Sequence, residues 1–439
     1  MATRSTSQQQ SNSPSYLVPF IIVTALFGIF GFLTNLNSNL SKELEDIFNL
    51  NHAWSNLVTS AWFFAYLVFS VPSSKLIERV GYKRTMIISL FIMVAGALLF
   101  IPAAAMVSFP VFLTASFVLA TGVCALQTSA NPYVSILGPE DSAPARLTLA
   151  QAFNSLGSAV APLVVGAFIL TNRVASADKV ADARAVAHTV VGPYVAIAAA
   201  LFVLGFAVMF MHLPAIAAPT RAFRPASDGD ALLERNIWSY KHVVLGMLGI
   251  FFYVGVEIAL AANAIQFFFS QNVSIDTLGP IGTLATSIGG PLSLTSIAAL
   301  LASFYMFSIM IGRFAGTVVM KWVKAEKLLV GLGTFGVLLL LVAMSTTGGL
   351  AIWCLVLCGL ANSIMYPTIF ALGIAELGPL TSKGSGVITI GNVGGAVIPP
   401  LFGYLAVQMG SYQHAFILPI LCYVYVAYYG FSGYKPSRH

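Results

Sequence analysis

A single carboxylate lies near the middle of an apolar stretch that is long enough to cross a membrane. Glu257 lies within residues 242–269, whereas the other acidic residues fall in predicted loops or at predicted helix ends. A carboxylate at the centre of a spanning helix costs about 2.5–3.5 kcal/mol, and such residues face a bundle interior or a wet cavity. A protonated carboxyl that serves packing alone is the alternative. We predict that Glu257 serves the transport of a cation or a substrate.

Uncharged hydrogen-bonding side chains also lie inside the predicted spans, several of them on shared helix faces. Gln127 and Asn131 are one helical turn apart, and Tyr253 precedes Glu257 by the same spacing. Amides present donors and acceptors together, as the hydroxyls of a neutral sugar do, whereas an anion calls for Lys or Arg at the midplane, where we find none. Hydrogen bonding between helices is the alternative for any single residue, at about 0.6 kcal/mol each. The predicted substrate contacts are Asn35, Ser38, Asn39, Gln127, Asn131, Gln151, Asn154, Asn362, Tyr366 and Asn392.

The composition excludes a soluble chain. Hydrophobic residues make up 58% of the 439 residues, charged residues make up 8%, and the mean hydropathy is +0.87. A soluble domain carries about a quarter charged residues. The formal charge of +6 comes from Lys and Arg scattered over short loops, so no nucleic-acid partner is predicted. The four cysteines lie in apolar runs, and no nucleophile–base pair or metal-ligand spacing stands out, so we predict no enzyme activity, no cofactor and no certain metal site.

Twelve apolar runs have the length of about 20 residues that a membrane span needs. They lie near 17–40, 55–77, 85–106, 109–137, 147–171, 189–213, 242–269, 294–318, 327–346, 349–375, 384–408 and 413–432. Most of the 21 Lys and Arg residues fall on one side of the membrane if both termini are cytoplasmic. Because cytoplasmic loops carry the excess of positive charge, we predict that orientation.

An internal repeat divides the chain into two halves. Residues 130–138 resemble residues 365–373, and residues 153–163 resemble residues 391–401, which aligns Asn154 with Asn392. We therefore predict an all-α polytopic membrane protein in which two pseudo-repeated six-helix halves enclose a site at the midplane. The predicted segments are a disordered tail at 1–15, halves at 16–213 and 242–432, a cytoplasmic linker at 214–241 and a short tail at 433–439.

Charged residues near the predicted cytoplasmic ends are candidates for a gate. The loop SKLIERVGYKR (Ser74–Arg84) resembles the major facilitator motif G-x-L-x-D-R-x-G-R-K, with Glu78 in place of the Asp. The resemblance implies charge pairs between helix ends, and a plain positively charged loop is the alternative. Arg313, in MIGRFAG, is predicted to lie near the cytoplasmic end of the eighth span as a gate residue or helix-end anchor. The predicted gate residues are Glu78, Arg79, Arg84 and Arg313.

Longer segments give a more specific resemblance. ALQTSANPYVSILGPE, RLTLAQAFNSLGS, FFYVGVEIA, GRFAGT and YPTIFALGI are similar to the fucose–galactose–glucose/cation symporter branch of the major facilitator superfamily. The resemblance extends over nearly the whole chain. It implies the major facilitator fold and sugar contacts from Asn35, Gln151 and Tyr366.

The same resemblance bears on ion coupling. Fucose transporters of this branch have a proton-handling Asp where this chain has Ser38, and a Glu where it has Gln127. Neither replacement can titrate, so the proton mechanism of those members does not transfer unchanged. The combination of Gln127 and Glu257 resembles the glucose/galactose members, some of which are sodium-coupled. We predict that Glu257 is the cation-linked group, either as a proton carrier or beside a Na⁺ ion.

These inferences predict a monomeric secondary transporter in a bacterial inner membrane, with a small-molecule sugar and the lipid bilayer as its partners. It would import a neutral monosaccharide such as glucose, galactose or fucose together with Na⁺ or H⁺ by alternating access. A passive sugar uniporter, an N-acetylhexosamine transporter and a multidrug exporter of the same superfamily remain alternatives. A membrane sensor is disfavoured because no loop or tail is long enough for an output domain. The sequence leaves the sugar and the ion open.

Overall fold

The computed structural model describes most of the chain. It covers residues 16–47, 52–106, 108–169, 179–211, 213, 236–290 and 292–436. Side chains are described in these ranges except at 36–47, 52–59, 162–169, 179–190, 285, 288 and 289. The predicted tail at 1–15, residues 214–235 of the predicted linker and the last three residues of the predicted second tail lie outside the described residues.

Long helices build the described part of the first half. They are α1 (Leu17–Ile47), α2 (His52–Val80), α3 (Tyr82–Ala105), α4 (Phe109–Ile136), α5 (Ala143–Ile169) and α6 (Lys179–Phe210). Helices suit a membrane interior because every backbone N–H and C=O is satisfied within the segment. Each helix covers one of the first six predicted spans.

The second half begins with α7 and has more breaks. Its helices are α7 (Lys241–Ser270), α8 (Pro280–Gly289), α9 (Leu294–Val319), α10 (Ala325–Ser345), α11 (Gly349–Asn362), α12 (Met365–Gly373), α13 (Thr381–Ile390), α14 (Gly394–Gln408), α15 (Tyr412–Ala415) and α16 (Ile417–Tyr428). The short helix α8 lies between the seventh and eighth predicted spans and was not predicted. The described residues contain no β-strand.

Hydropathy supports the predicted spans. Among the described residues, 11 helical segments are long and apolar enough to cross a membrane, and three of them combine consecutive shorter helices, such as α11 with α12. The remaining predicted span corresponds to α5, a continuous helix whose side chains are described only as far as residue 161. The twelve predicted runs therefore each coincide with helix.

Several prolines lie within the membrane-spanning helices. Pro132 lies inside α4, and Pro399 and Pro400 lie inside α14, without ending either helix. The tenth span does break, at residues 363 and 364, just before Pro367. The eleventh span changes to a 3₁₀ turn at Gly391–Val393, upstream of its two prolines. Proline removes the N–H that would reach the carbonyl four residues earlier, so each buried proline leaves one carbonyl that needs another donor.

Glycines let helices touch through their backbones at one place in each half. Gly157 of α5 lies against the main chain of Gly28 in α1, and Gly394 of α14 lies against the carbonyl of Phe251 in α7. A Cβ atom at either glycine would collide with backbone that cannot move aside. Small residues permit this close approach, which supplies the packing that holds helices together in lipid.

The two halves contact each other at the end of the bundle that carries the α2–α3 loop. Helices α2 and α4 of the first half pack there against α13, and α5 packs against α9 and α12. Gly386 lies against the side chain of Ser74, and Ser385 donates to the carbonyl of Thr128 at 2.7 Å. We call this region, defined by Ser74, Thr128, Ser385 and Gly386, the closed end.

Candidate functional site

A cavity of about 490 Å³ lies between the two halves. This volume is within the usual range of small-molecule sites, about 300–1,000 Å³. Both halves contribute walls, so neither half forms the site alone. The lining residues are Asn35, Phe63, Tyr66, Gln127, Gln151, Asn154, Ser155, Ser158, Ala159, Tyr253, Val254, Glu257, Ile258, Ser303, Met306, Phe307, Ile309, Arg313, Tyr366 and Asn392.

Most of the predicted contact residues meet at this cavity. The six that line it are Asn35, Gln127, Gln151, Asn154, Tyr366 and Asn392, together with the predicted coupling residue Glu257. The side chains of Ser38 and Asn39 lie outside the described residues. Asn131 and Asn362 are buried but do not belong to the lining. The sequence analysis did not include Phe63, Tyr66 and Phe307, whose aromatic character alone does not separate a cavity wall from a lipid-facing surface.

Asn131 connects the two halves behind the cavity wall. Its Oδ1 accepts a hydrogen bond from Nε2 of Gln151 at 3.3 Å, and its Nδ2 donates to the hydroxyl of Tyr366 at 3.3 Å. Asn131 and Tyr366 occupy the same position in the internal repeat, so two equivalent residues meet at the interface between the halves. Asn131 thus orients two lining residues rather than reaching the cavity itself. In front of it, the hydroxyl of Tyr66 donates to Oε1 of Gln127 at 3.2 Å.

The side-chain amide of Asn362 hydrogen bonds to two tyrosines outside the cavity lining. Its Nδ2 donates to the hydroxyl of Tyr305 at 2.8 Å, and its Oδ1 accepts from the hydroxyl of Tyr423 at 2.9 Å. The Tyr305 hydroxyl in turn donates to the main-chain carbonyl of Glu257 at 3.3 Å. Asn362 therefore supports α7 through Tyr305 and does not line the cavity in which the sequence analysis predicted it as a substrate contact. Helical spacing alone could not show which way its face was turned.

We expect Asn362→Leu to destabilise the protein without a comparable loss of substrate affinity. The substitution leaves the buried phenol of Tyr423 without its hydrogen-bond acceptor and removes one of the two partners of the Tyr305 hydroxyl, at a cost of about 1–2 kcal/mol. Thermal unfolding in detergent measures the effect, and Asn263→Leu is the matched control because the Asn263 amide bonds only to the carbonyl of Ala259 in its own helix. Weaker sugar binding by Asn362→Leu at unchanged stability would restore Asn362 as a substrate contact.

Arg313 lies near the C-terminal end of α9, as predicted, but its side chain reaches back into the cavity wall. Its side chain is 7% exposed and lines the same cavity as Glu257, so the inference that the midplane lacks Arg or Lys is wrong. Helical side chains tilt towards the helix N-terminus, and α9 starts on the opposite side of the membrane from Arg313. A long side chain near the end of α9 therefore extends back towards the middle of the bundle.

The break before Pro367 explains how Arg313 is held. Because Pro367 has no N–H, the carbonyl of Ser363 lacks its helical partner, and Nε of Arg313 donates to it at 3.1 Å. Gly312 and Gly316 bring α9 close to this break, since a Cβ at either position would collide with Ser363 or Ile364. The Gly-x-x-x-Gly spacing around Arg313 is the sequence signal that could have indicated this close contact.

Two nitrogens of the Arg313 guanidinium serve different halves of the protein. Nε bonds within the second half, as above, whereas Nη1 donates to the carbonyl of Gln151 at 3.0 Å and to the hydroxyl of Ser155, both in α5 of the first half. Arg313 thus joins the two halves from inside the central cavity, and its role in a gate stays a prediction.

Glu257 lies among tyrosines and one cation. Tyr253, Tyr305 and Tyr366 surround it, and the positive charge of Arg313 acts on it across the cavity. The hydroxyl of Tyr253, one turn before Glu257, is buried and interacts with the Glu257 carboxyl, although the two groups do not meet the geometric criteria of a hydrogen bond. Among the described residues, no group of three or more His, Cys, Asp or Glu could hold a metal ion.

The predicted gate motif is only partly in contact with the other half. Glu78 lies at the closed end and accepts a hydrogen bond from the Ser382 hydroxyl at 3.4 Å. Arg79 and Arg84 are exposed. Lys83 of the same loop donates to the carbonyls of Met209 and Met211 at 2.9 and 2.8 Å, which satisfies the C-terminal end of α6.

Comparison with known proteins agrees with this architecture. Residues 20–391 match the model of the Major Facilitator Superfamily. The glucose/galactose transporter of Brucella abortus is 38% identical over 427 residues, covering 97% of each chain. The L-fucose-proton symporter of Escherichia coli is 30% identical over 433 residues, covering 96% of this chain and 94% of the symporter.

Solved structures give the same result. The crystal structure of a variant of the E. coli fucose:proton symporter matches with a TM-score of 0.83 at 28% identity, covering 95% of this chain and 99% of that one. A crystal structure of that transporter in the outward conformation matches with a TM-score of 0.81. The chain belongs to the Major Facilitator Superfamily, in the branch that contains these sugar transporters.

Family membership confirms several predictions from the sequence. The fold is the all-α major facilitator fold, and the protein is a multi-pass membrane transporter and not an enzyme. The site residues and the coupling ion stay predictions, and the proposals below rest on the geometry of the cavity.

Proposed function

We propose that the protein imports a neutral hexose or deoxyhexose, such as glucose, galactose or fucose, together with a proton. The observation that carries this proposal is the cavity between the halves, where amides from both halves surround a single carboxylate among the described lining residues. Amides match sugar hydroxyls as both donors and acceptors. The names of the relatives, a glucose/galactose transporter and an L-fucose-proton symporter, support the same substrate class.

The charge of the described lining favours a neutral substrate. Glu257 and Arg313 contribute opposite charges, and Nε and Nη1 of Arg313 are engaged by protein oxygens. An anionic substrate would have to compete with those oxygens for the guanidinium. Phe63, Met306 and Phe307 offer apolar surface against which the C–H face of a sugar can pack. A multidrug exporter would be expected to have a more apolar wall.

The surroundings of Glu257 favour a proton over Na⁺ as the coupling ion. A bound Na⁺ would share the cavity with the guanidinium of Arg313, and like charges repel strongly where water is scarce. Main-chain carbonyls freed from helices are typical cation ligands in transporters. Here the carbonyls of Ser363 and Thr128 already accept hydrogen bonds from Arg313 and Ser385. A proton on Glu257 needs no additional ligands.

We further propose that both termini lie in the cytoplasm of a bacterial cell, with the closed end on that side of the inner membrane. The excess of Lys and Arg supports this orientation. The similarity to a transporter in the outward conformation supports a cavity that faces away from the closed end. Because one chain supplies both walls of the cavity, a monomer is sufficient for transport.

Uptake into proteoliposomes tests the proposal. Labelled glucose, galactose, fucose and N-acetylglucosamine would be supplied outside while either an inward proton gradient or an inward Na⁺ gradient is imposed. We expect a hexose to accumulate under the proton gradient alone. Accumulation under the Na⁺ gradient alone would refute proton coupling, and exchange without accumulation under either gradient would identify a passive uniporter. Transport of none of these sugars would refute the substrate class.

A further inference from the structure

We propose that Phe63, whose ring packs on Gly395 of the opposite half, sets the size of the sugar that the cavity accepts. Phe63 is the residue that meets the sugar, whereas Gly395 is a positioning residue because it acts through the ring of Phe63. This inference rests on the proposed import of a neutral monosaccharide, and it names the residue that selects among the members of that class by size.

The ring of Phe63 crosses the interface between the two halves. Phe63 belongs to α2 of the first half and lines the cavity, and Gly395 lies in the first turn of α14 in the second half. A Cβ atom built on Gly395 would lie 2.5 Å from Cζ and 2.6 Å from Cε1 of Phe63. Non-bonded carbon atoms prefer a separation of about 3.5–4.0 Å. The ring therefore occupies the space that any side chain at position 395 would need.

Tyr66 limits where else the ring of Phe63 can go. The two ring centroids are 6.4 Å apart, and Tyr66 lies about one turn further along α2. Tyr66 is buried, and its hydroxyl donates to Oε1 of Gln127 at 3.2 Å. Because Tyr66 is packed and hydrogen bonded, it does not make room for a displaced neighbour. The cavity is the empty space that borders Phe63, so a ring pushed off Gly395 moves into the cavity.

The apolar lining side chains of α9 are less constrained than Phe63. Met306 and Phe307 are exposed, and exposed side chains change rotamer readily. They can therefore adapt to ligands of different size. Phe63 is half-buried, and its ring is packed against the opposite half. A wall that is fixed in this way discriminates between ligands, whereas an adaptable wall does not.

A fixed apolar wall is sensitive to small differences in ligand size. One methylene more or less in an apolar pocket changes the selectivity about 10–200-fold. A hexose exceeds the pentose of the same ring configuration by its C6 group alone, and N-acetylglucosamine exceeds glucose by an acetyl group on nitrogen. Moving the wall by the size of a methyl group should therefore change the preference within these pairs.

Gly395→Ala tests the inference by narrowing the cavity. Unlabelled sugars would compete with the labelled hexose that the unsubstituted protein transports, and the hexose would be compared with the pentose of the same ring configuration. We expect Gly395→Ala to weaken binding of the hexose about tenfold or more relative to the pentose. Gly403→Ala is the matched control, because it lies in the same helix and a Cβ there meets no atom within 4 Å among the described residues.

Phe63→Leu tests the inference in the opposite direction. Leucine is shorter than phenylalanine, so this part of the wall moves back from the cavity. We expect binding of N-acetylglucosamine to improve about tenfold relative to the transported hexose. In the double variant Phe63→Leu/Gly395→Ala, the shorter side chain no longer meets the new Cβ. The preference for hexose over pentose should then return towards that of the unsubstituted protein.

The outcomes separate this inference from the proposed function. Binding of no monosaccharide by the unsubstituted protein would refute the function itself. An equal loss of hexose and pentose binding in a folded Gly395→Ala protein would overturn the inference, because it indicates a change in how the halves meet. Failure of Phe63→Leu to restore the preference in the double variant would also overturn it. So would an unchanged preference in Phe63→Leu alone, which remains a test even if Gly395→Ala does not fold.

Discussion

We expect the replacement of Glu257 by Gln to abolish the accumulation of sugar against its gradient and to leave sugar exchange largely intact. Gln keeps the size of the side chain and its ability to hydrogen bond, but it cannot bind or release a proton. Among the described lining residues no other carboxylate can take over this role. Without a titrating group, a pH gradient of one unit loses the approximately tenfold accumulation that it can otherwise drive. Counterflow and gradient-driven uptake, measured on the same proteoliposomes, distinguish the two activities.

Asp276→Asn is the control for this change. Asp276 is also converted from a carboxylate to an amide, but it is exposed in a turn after α7. This variant should accumulate sugar as the unsubstituted protein does. If Glu257→Gln also accumulated normally, Glu257 would be a structural carboxyl and the coupling scheme would fail. A loss of exchange together with accumulation would indicate a role for Glu257 in sugar binding as well.

We expect Gly386→Leu to prevent the halves from meeting at the closed end and to reduce transport strongly. A Cβ at Gly386 already approaches Cβ of Ser74 to 2.6 Å and its hydroxyl to 2.7 Å, so a leucine side chain has no space. Overpacking of this kind costs about 1–3 kcal/mol, and it acts only on the state in which the halves are in contact. Because each 1.4 kcal/mol shifts an equilibrium about tenfold, the ratio of molecules shut at the closed end to molecules open there should fall about five- to 150-fold.

Thiol labelling measures this population directly. Ser382→Cys places a thiol at the closed end, where Ser382 is 2% exposed and faces Glu78. We expect an impermeant reagent to label it faster from that side when Gly386→Leu is also present. Gly403→Leu is the matched control, because a Cβ at Gly403 meets nothing within 4 Å. Equal labelling and equal transport in the Gly386 and Gly403 variants would show that this contact does not control access.

Because of the internal repeat, the closed end and the cavity wall each contain a main-chain carbonyl that a proline leaves without its helical hydrogen bond. Pro132 and Pro367 are equivalent in the two halves, and each frees the carbonyl four residues before it. Ser385 donates to the first of these carbonyls and Arg313 to the second. A carbonyl freed by proline is thus a contact point in both halves, and in the first half the donor comes from the opposite half.

The sequence by itself determined the membrane class, the span positions and the family. These properties depend on composition and on runs of apolar residues. Such features are local, so they can be recognised without knowing how the helices pack. It also indicated Glu257, because a carboxylate in an apolar run is conspicuous wherever the helix lies. Five of the six predicted contact residues that line the cavity lie in or next to the repeated segments, and the sixth, Asn35, lies on α1.

Only the tertiary structure decided which polar residues reach the cavity. Asn362 and Tyr366 are four residues apart in the sequence, but the helix breaks between them, at the junction of α11 and α12. Asn362 hydrogen bonds to two buried tyrosines, whereas Tyr366 lines the cavity. The sequence placed Arg313 near a helix end but could not show that its side chain extends into the cavity. That position depends on the direction of the side chain and on the glycines that let α9 pack against a broken helix. Helix rotation and the partners of freed carbonyls arise from contacts between distant segments, so no local pattern could have determined them.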